Sequence, residues 1–153
     1  MKKILLTTLM LMAAIGVSAQ NKGTMAVGPK ISLYTNTGRG AIFGIGGYYR
    51  YNLTDPLRLE TNLIVPCRSD CSIDLNCNVQ YLFEVADKWN IFPLVGLGVN
   101  DLGDWSCGVD LGAGTDYRIT RHWSLSADLR WKIQTARFAR NPIVLSIGTT
   151  FSF

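Results

Sequence analysis

The chain has 153 residues, 48% of them hydrophobic, and a formal net charge of +4. That length suits one domain. The mild positive charge, with no run of basic residues, excludes a nucleic-acid partner. No apolar stretch beyond the N-terminal segment approaches the ~20 residues of a transmembrane helix, so any membrane crossing must be made by a barrel of strands.

In chain order, Met1-Lys2-Lys3 is a short cationic start. An apolar run from Ile4 to Ile15 follows, and Gly16-Val17-Ser18-Ala19 supplies the small residues of a cleavage site. This pattern predicts a secretory signal peptide over residues 1–19. The mature domain is then 20–153, and it loses Lys2 and Lys3 from the net charge. No helix is predicted after the leader. Instead, eight stretches alternate with a period of two. The first, 24–35, sets Val27, Ile31 and Leu33 against Gly28, Lys30 and Ser32. The second, 41–52, sets Phe43, Ile45, Tyr49 and Tyr51 against Gly44, Gly46, Tyr48 and Arg50. The third, 57–66, sets Leu59, Leu63 and Val65 against Arg58, Glu60 and Asn62. The fourth, 71–83, sets Ile73, Leu75, Val79, Tyr81 and Phe83 against Ser72, Asp74, Asn76, Asn78 and Gln80.

The fifth, 90–100, is more apolar, with Gly96 and Gly98 on one parity and Leu97 and Val99 on the other. The sixth, 107–118, sets Val109, Leu111, Ala113 and Tyr117 against Asp110, Asp116, Arg118 and three glycines. The seventh, 123–134, alternates over its whole length, with Trp123, Leu125, Ala127, Leu129, Trp131 and Ile133 on one face and Ser124, Ser126, Asp128, Arg130, Lys132 and Gln134 on the other. The eighth runs from Ile143 to Phe153 in the same way. Strands of ten to twelve residues are the length that a tilted strand needs to cross a bilayer. An even number with tight connections predicts an all-β, eight-stranded antiparallel up-and-down transmembrane β-barrel.

Alternation alone does not say which face is inside. A soluble lipocalin-like barrel that binds an apolar ligand has an apolar interior; a membrane barrel inverts it. The polar parity carries many glycines together with Lys30, Arg50, Arg58, Glu60, Asp74, Asp110, Asp116, Arg118, Asp128, Arg130 and Lys132, six cations against five anions. Small residues and matched charges suit a narrow, filled lumen. Tyr48 and Phe92 share that parity and add bulk. On the apolar parity, Tyr49, Tyr51, Tyr81, Phe83, Tyr117, Trp123, Phe151 and Phe153 gather at one rim, as an interfacial aromatic girdle does. Tight turns at 53–56, 84–88 and 119–122 occupy the same rim. The other rim carries loops near 36–39, 68–70, 101–106 and 135–141. The inverted arrangement is therefore the expectation.

Gly148-x-x-Phe151-x-Phe153 resembles the C-terminal insertion signal of bacterial outer-membrane barrels. With the eight strands, the girdle and the leader, the mature chain resembles the small OmpA/OmpX-type outer-membrane β-barrels over nearly its full length. The resemblance implies residence in the outer membrane, contact with its lipid, and recognition by the barrel-assembly machinery during insertion. It also implies a monomer, with a structural or surface-interaction role. OmpA itself continues into a peptidoglycan-binding domain that has no counterpart in this sequence, so cell-wall anchoring does not carry over.

Catalytic and ligand motifs are sparse. His122 is the only histidine. Lipid-modifying barrels place a histidine near the outer leaflet, whereas His122 falls in a turn at the opposite rim, so no enzyme is expected. Gly96-Leu97-Gly98 and Gly112-Ala113-Gly114 lack the following helix of a dinucleotide site. No metal site or cofactor is expected, because Cys67, Cys71, Cys77 and Cys107 match no zinc spacing. Cys67 and Cys71 flank one surface loop in an exported chain, which makes a local disulfide the expectation. Cys77 and Cys107 fall on the lipid-facing parity and are expected to be free.

Overall fold

The structure is a computed structural model that describes residues 22–38, 40–67, 72–101, 105–135 and 141–153. Nine strand segments form its wall: β1 (Met25–Thr35), β2 (Ile42–Asn52), β3 (Leu57–Pro66), β4 (Asp74–Tyr81), β5 (Phe83–Ala86), β6 (Trp89–Asn100), β7 (Ser106–Arg118), β8 (Trp123–Gln134) and β9 (Ile143–Ser152). Apart from β4 and β5, which do not pair with each other, neighbours in sequence pair antiparallel, and β1 pairs with β9. β4 and β5 both lie against β6 and are two parts of one wall strand, interrupted at Leu82. The wall is therefore a closed eight-stranded up-and-down barrel, and closure leaves only the short β5, paired with β6 alone, with an unpaired side. The predicted leader, residues 1–19, lies outside the described residues.

The predicted strands differ from the observed ones mainly at the fourth. It runs past Phe83 to Ala86, and an irregularity between Glu84 and Ala86 adjusts its register. Ala86 then pairs directly with Trp89, so Asp87-Lys88 is a two-residue hairpin turn rather than the five-residue connection that the sequence suggested.

The other two turns at this rim share one construction. In the first, Leu53 N and Thr54 N donate to Leu57 O at 2.9 and 3.1 Å, and Thr54 Oγ1 accepts from Leu57 N at 3.2 Å. In the second, Ile119 N and Thr120 N donate to Trp123 O at 2.9 and 3.0 Å, and Thr120 Oγ1 accepts from Trp123 N at 3.1 Å. An apolar residue, a threonine, two free positions and an apolar residue thus close both hairpins. In the second turn the threonine hydroxyl is the acceptor for Trp123 N; in the first it shares Leu57 N with the Thr54 carbonyl, 3.2 Å away.

Side chains divide by parity as the alternation predicts. Ile31, Phe43, Ile45, Leu97, Leu129, Trp131 and Ile147 point outward and are exposed. Lys30, Arg50, Glu60, Asp74, Asp110, Asp128, Arg130 and Lys132 point inward and are buried. Such an exterior is stable only against an apolar solvent. At the turn rim the aromatics meet in contacts: Tyr81 with Phe83 at 4.8 Å, Trp123 with Phe151 at 5.3 Å, and Phe151 with Phe153 at 6.5 Å between ring centroids. Trp89 joins them, 5.1 Å from Tyr117. Phe43 and Trp131 lie outward near the loop rim, so aromatic residues mark both ends of the apolar band.

This orientation has a measurable cost if violated. Leu129→Arg places a charge on the outward face, and in lipid vesicles it should lower unfolding free energy by about 2–4 kcal/mol. Equilibrium denaturation of refolded protein reads this directly, and an unchanged midpoint would contradict a lipid-facing Leu129.

Candidate functional site

The chemistry of this chain is concentrated inside the barrel. β6 and β9 contain no charged residue; the inward charges of the lumen come from β1, β2, β3, β4, β7 and β8, and Glu84 of β5, paired with the buried Asn90, stands half-buried on the inner side at the turn rim. Each needs a partner, because a charge removed from water costs several kcal/mol unless it is paired and hydrogen-bonded.

The partners form a single line. Arg58 Nη1 lies 2.7 Å from Asp116 Oδ2, and Asp116 Oδ1 accepts from Arg50 Nη1 at 3.1 Å. Arg50 Nε donates to Glu60 Oε2 at 2.6 Å, and Glu60 Oε1 accepts from Lys30 Nζ at 2.8 Å. Lys30 also donates to Asp128 Oδ2 at 3.1 Å, and Asp128 Oδ1 lies 2.8 Å from Arg130 Nε. Arg130 Nη1 is 4.0 Å from Asp110 Oδ2, which accepts from Lys132 Nζ at 3.4 Å. Lys132 finally donates to Asp74 Oδ1 at 2.8 Å. Ten groups alternate in sign from Arg58 to Asp74, and their charges sum to zero. The line runs from the turn rim, where Arg58 and Asp116 sit, to the loop rim, where Asp74 sits.

Lys30 is the midpoint, and its surroundings explain why a lysine fits there. Its ladder neighbours are Gly46 on β2 and Gly148 on β9, which set no side chain beside it on the inner face. Its three N–H groups find three acceptors: Glu60, Asp128 and Asn62 Oδ1, the last at 2.7 Å. The ammonium also lies 4.4 Å from the Tyr48 ring centroid. Amides fill in along the line. Asn76 Oδ1 accepts from Arg130, Asn62 and Asn78, and Gln80 Oε1 accepts from Arg58 Nε at 2.7 Å.

Two inward glycines are sockets for bulky rings. A Cβ at Gly114 would stand 2.5 Å from Phe92 Cζ, and one at Gly148 would stand 2.8 Å from Tyr48 Cε1. Tyr48 crosses over β1 to reach β9, where its hydroxyl meets Thr150 Oγ1, with Ser126 Oγ 3.2 Å away. Toward the loop rim, Tyr34, Ile42, Ile64 and Val144 form a buried apolar cluster inside the lumen. Tyr34 donates to Asp74 Oδ2 at 2.7 Å and so caps that end of the charged line.

The structure thus brings together ten of the eleven charges singled out in the sequence. Arg118 stands apart: it is half-buried at the turn rim, and none of the ion pairs among the described residues includes it. Parity puts it inward, but it closes β7, where the lumen opens. Tyr34, Ile64, Leu82 and Leu94 are inward residues that reading polarity alone passes over; counting parity from Lys30 would have found Tyr34. Cys77 and Cys107 are free thiols on the exposed face. Cys67 is exposed, and Cys71, with the bond expected between them, lies outside the described residues. His122 sits exposed in its turn, with Nδ1 3.1 Å from Ser152 O and its ring 6.0 Å from that of Phe151. Among the described residues, no group of three or more His, Cys, Asp or Glu is placed to hold a metal ion.

Comparison with known proteins places this architecture. The N-terminal β-barrel domain of Pseudomonas aeruginosa OprF superposes with a TM-score of 0.74 at 16% identity, covering 88% of this chain and 100% of that one. Neisserial surface protein A gives 0.67 at 18% identity, covering 86% and 100%. Escherichia coli outer membrane protein W gives 0.61 at 15% identity, covering 88% and 100%. The fold is that of the small eight-stranded outer-membrane barrels. No protein-family model and no curated protein matches the sequence.

The charged line of this barrel should respond steeply to loss of its midpoint. Lys30→Met strands Glu60 and Asp128 and should cost about 3–5 kcal/mol. Adding Asp128→Asn should return part of that loss, as coupled partners do. Urea unfolding of the two variants in micelles measures both effects.

Proposed function

We propose that this chain is an integral outer-membrane barrel with a structural or surface-interaction role, closed to solute flow and without catalysis. The observation that carries this reading is the alternating line of ten charges, with Tyr48, Phe92 and Tyr34 packed beside it. Eight strands enclose a space that side chains can fill, and here they do so with groups that hold one another. The apolar exterior and the aromatic residues at both rims support residence in lipid. They weigh against the soluble lipocalin-like alternative, whose polarity would be reversed. Likeness to outer-membrane barrels from three bacteria supports the outer membrane as the location. His122 is exposed in a turn at the rim opposite the one where a lipid-modifying barrel would need it, which weighs against that reading.

Two further elements belong to this proposal. The Gly148-x-x-Phe151-x-Phe153 pattern supports recognition by barrel-assembly machinery, after export by the leader over 1–19. A monomer is the simplest state, since the closed wall leaves only the four-residue edge of β5 to pair with a second copy.

Planar-bilayer recording on refolded protein tests the closed lumen. The expected result is no steady conductance, with rare brief openings at most. Steady, porin-like current from the wild type would overturn it.

A further inference from the structure

The charged line has two ends, and they are not alike. At the loop end, Asp74 accepts from both Lys132 and Tyr34. At the turn end, Arg50 and Arg58 share one carboxylate, Asp116. The other carboxylate beside Arg50 is Glu60, which Lys30 also holds. Within the line, Arg58 thus has a single carboxylate partner, and Glu84, the other inward carboxylate at this rim, is in none of the ion pairs among the described residues.

The guanidiniums are also short of acceptors. Arg50 and Arg58 are only 2% and 3% exposed, yet Nη2 of each has no hydrogen-bond partner. An unpartnered N–H on a buried cation is costly. Both side chains line a cleft at the turn-side mouth of the lumen, together with Ser124, Thr150 and Ser152. No carboxylate lines it. Its free space is about 20 Å³, room for one or two water-sized groups. It can admit the oxygen edge of an anion but not an organic ligand.

We infer that this mouth is a binding site for a small oxoanion of the phosphate class, held by Nη2 of Arg50 and Nη2 of Arg58. Guanidinium groups match the oxygen spacing of phosphate and keep their charge at any working pH. Ser124 and Ser152 supply hydroxyls for the oxygens that remain. The anion extends the alternation by one step: it gives Arg58 the second negative neighbour that each inner cation of the line already has.

The test uses protein refolded in a maltoside detergent, which carries no phosphate. Inorganic phosphate is titrated at constant ionic strength, with sodium chloride as the balancing salt. The expected result is saturable broadening of the phosphorus NMR line, together with a rise in the thermal unfolding midpoint. Arg58→Gln should weaken the response at least tenfold. Because that variant also breaks an ion pair, Ser124→Asp provides a second arm that leaves the charged line intact. Its carboxylate should take the place of the anion, raising the midpoint without phosphate and abolishing the broadening. Lys132→Gln, at the other end, should lower the midpoint and keep the phosphate response. Absence of saturable broadening in the wild type means that the cleft holds water only, and overturns the site. A response that survives both Arg58→Gln and Ser124→Asp overturns it equally, since phosphate then binds elsewhere.

Discussion

A charge inside an eight-stranded wall has no bulk water to turn to. The lumen is too narrow, and the strands on every side expose only alternate side chains to it. Each inward carboxylate or cation must therefore be met by another residue, from another strand, at a matching height. Most features of this barrel follow from that condition. It explains why the inward charges come in balanced numbers, why amides such as Asn62, Asn76 and Gln80 cluster beside them, and why the lysine at the centre uses all three of its protons.

It also explains the uncharged strands. β6 and β9 supply glycines, hydroxyls, the amides of Asn90 and Asn100, and the apolar side chains of Phe92, Leu94 and Val144 to the interior. They are the walls against which the long side chains of the charged strands lie. Phe92 of β6 over Gly114 of β7, and Tyr48 of β2 over Gly148 of β9, are the tightest fits: a ring is accommodated where another strand has given up its side chain. The abundance of inward glycine could suggest an empty, wet interior. At these two positions it marks the space that a neighbour's side chain occupies.

Much of this is legible in the sequence. Twelve residues of unbroken alternation in β8 fix both its length and its two faces, and the girdle follows from where the aromatics fall along the outward parity. What could not be read has a common cause. Parity says inward or outward but not how high in the barrel a residue sits, because height depends on strand tilt and stagger. Arg118 has the parity of the charged line yet lies at its open end. The choice of Asp128 as a partner for Lys30 joins strands on either side of β9 and is invisible to any local pattern. Tyr34, Ile64 and Leu82 escape a polarity rule because they are apolar residues on the polar side. Trp89 escapes for a simpler reason: it opens its strand one residue before the predicted start.

The single-file order of the ion pairs has a consequence for how the wall can assemble. Lipid enforces parity, so a strand displaced by one residue is rejected at once. A strand displaced by two keeps its apolar face outward, and lipid cannot detect the mistake. The interior can. Slide β8 two residues one way and Arg130 takes the place of Asp128, cation against the ammonium of Lys30. Slide it the other way and Asp128 takes the place of Arg130, carboxylate against carboxylate at Asp110. Both like-sign meetings occur where no water can relieve them. Alternation of charge along the axis is thus a proofreading device with twice the step of the hydrophobic pattern, and it selects one closure from a set that the membrane regards as equivalent.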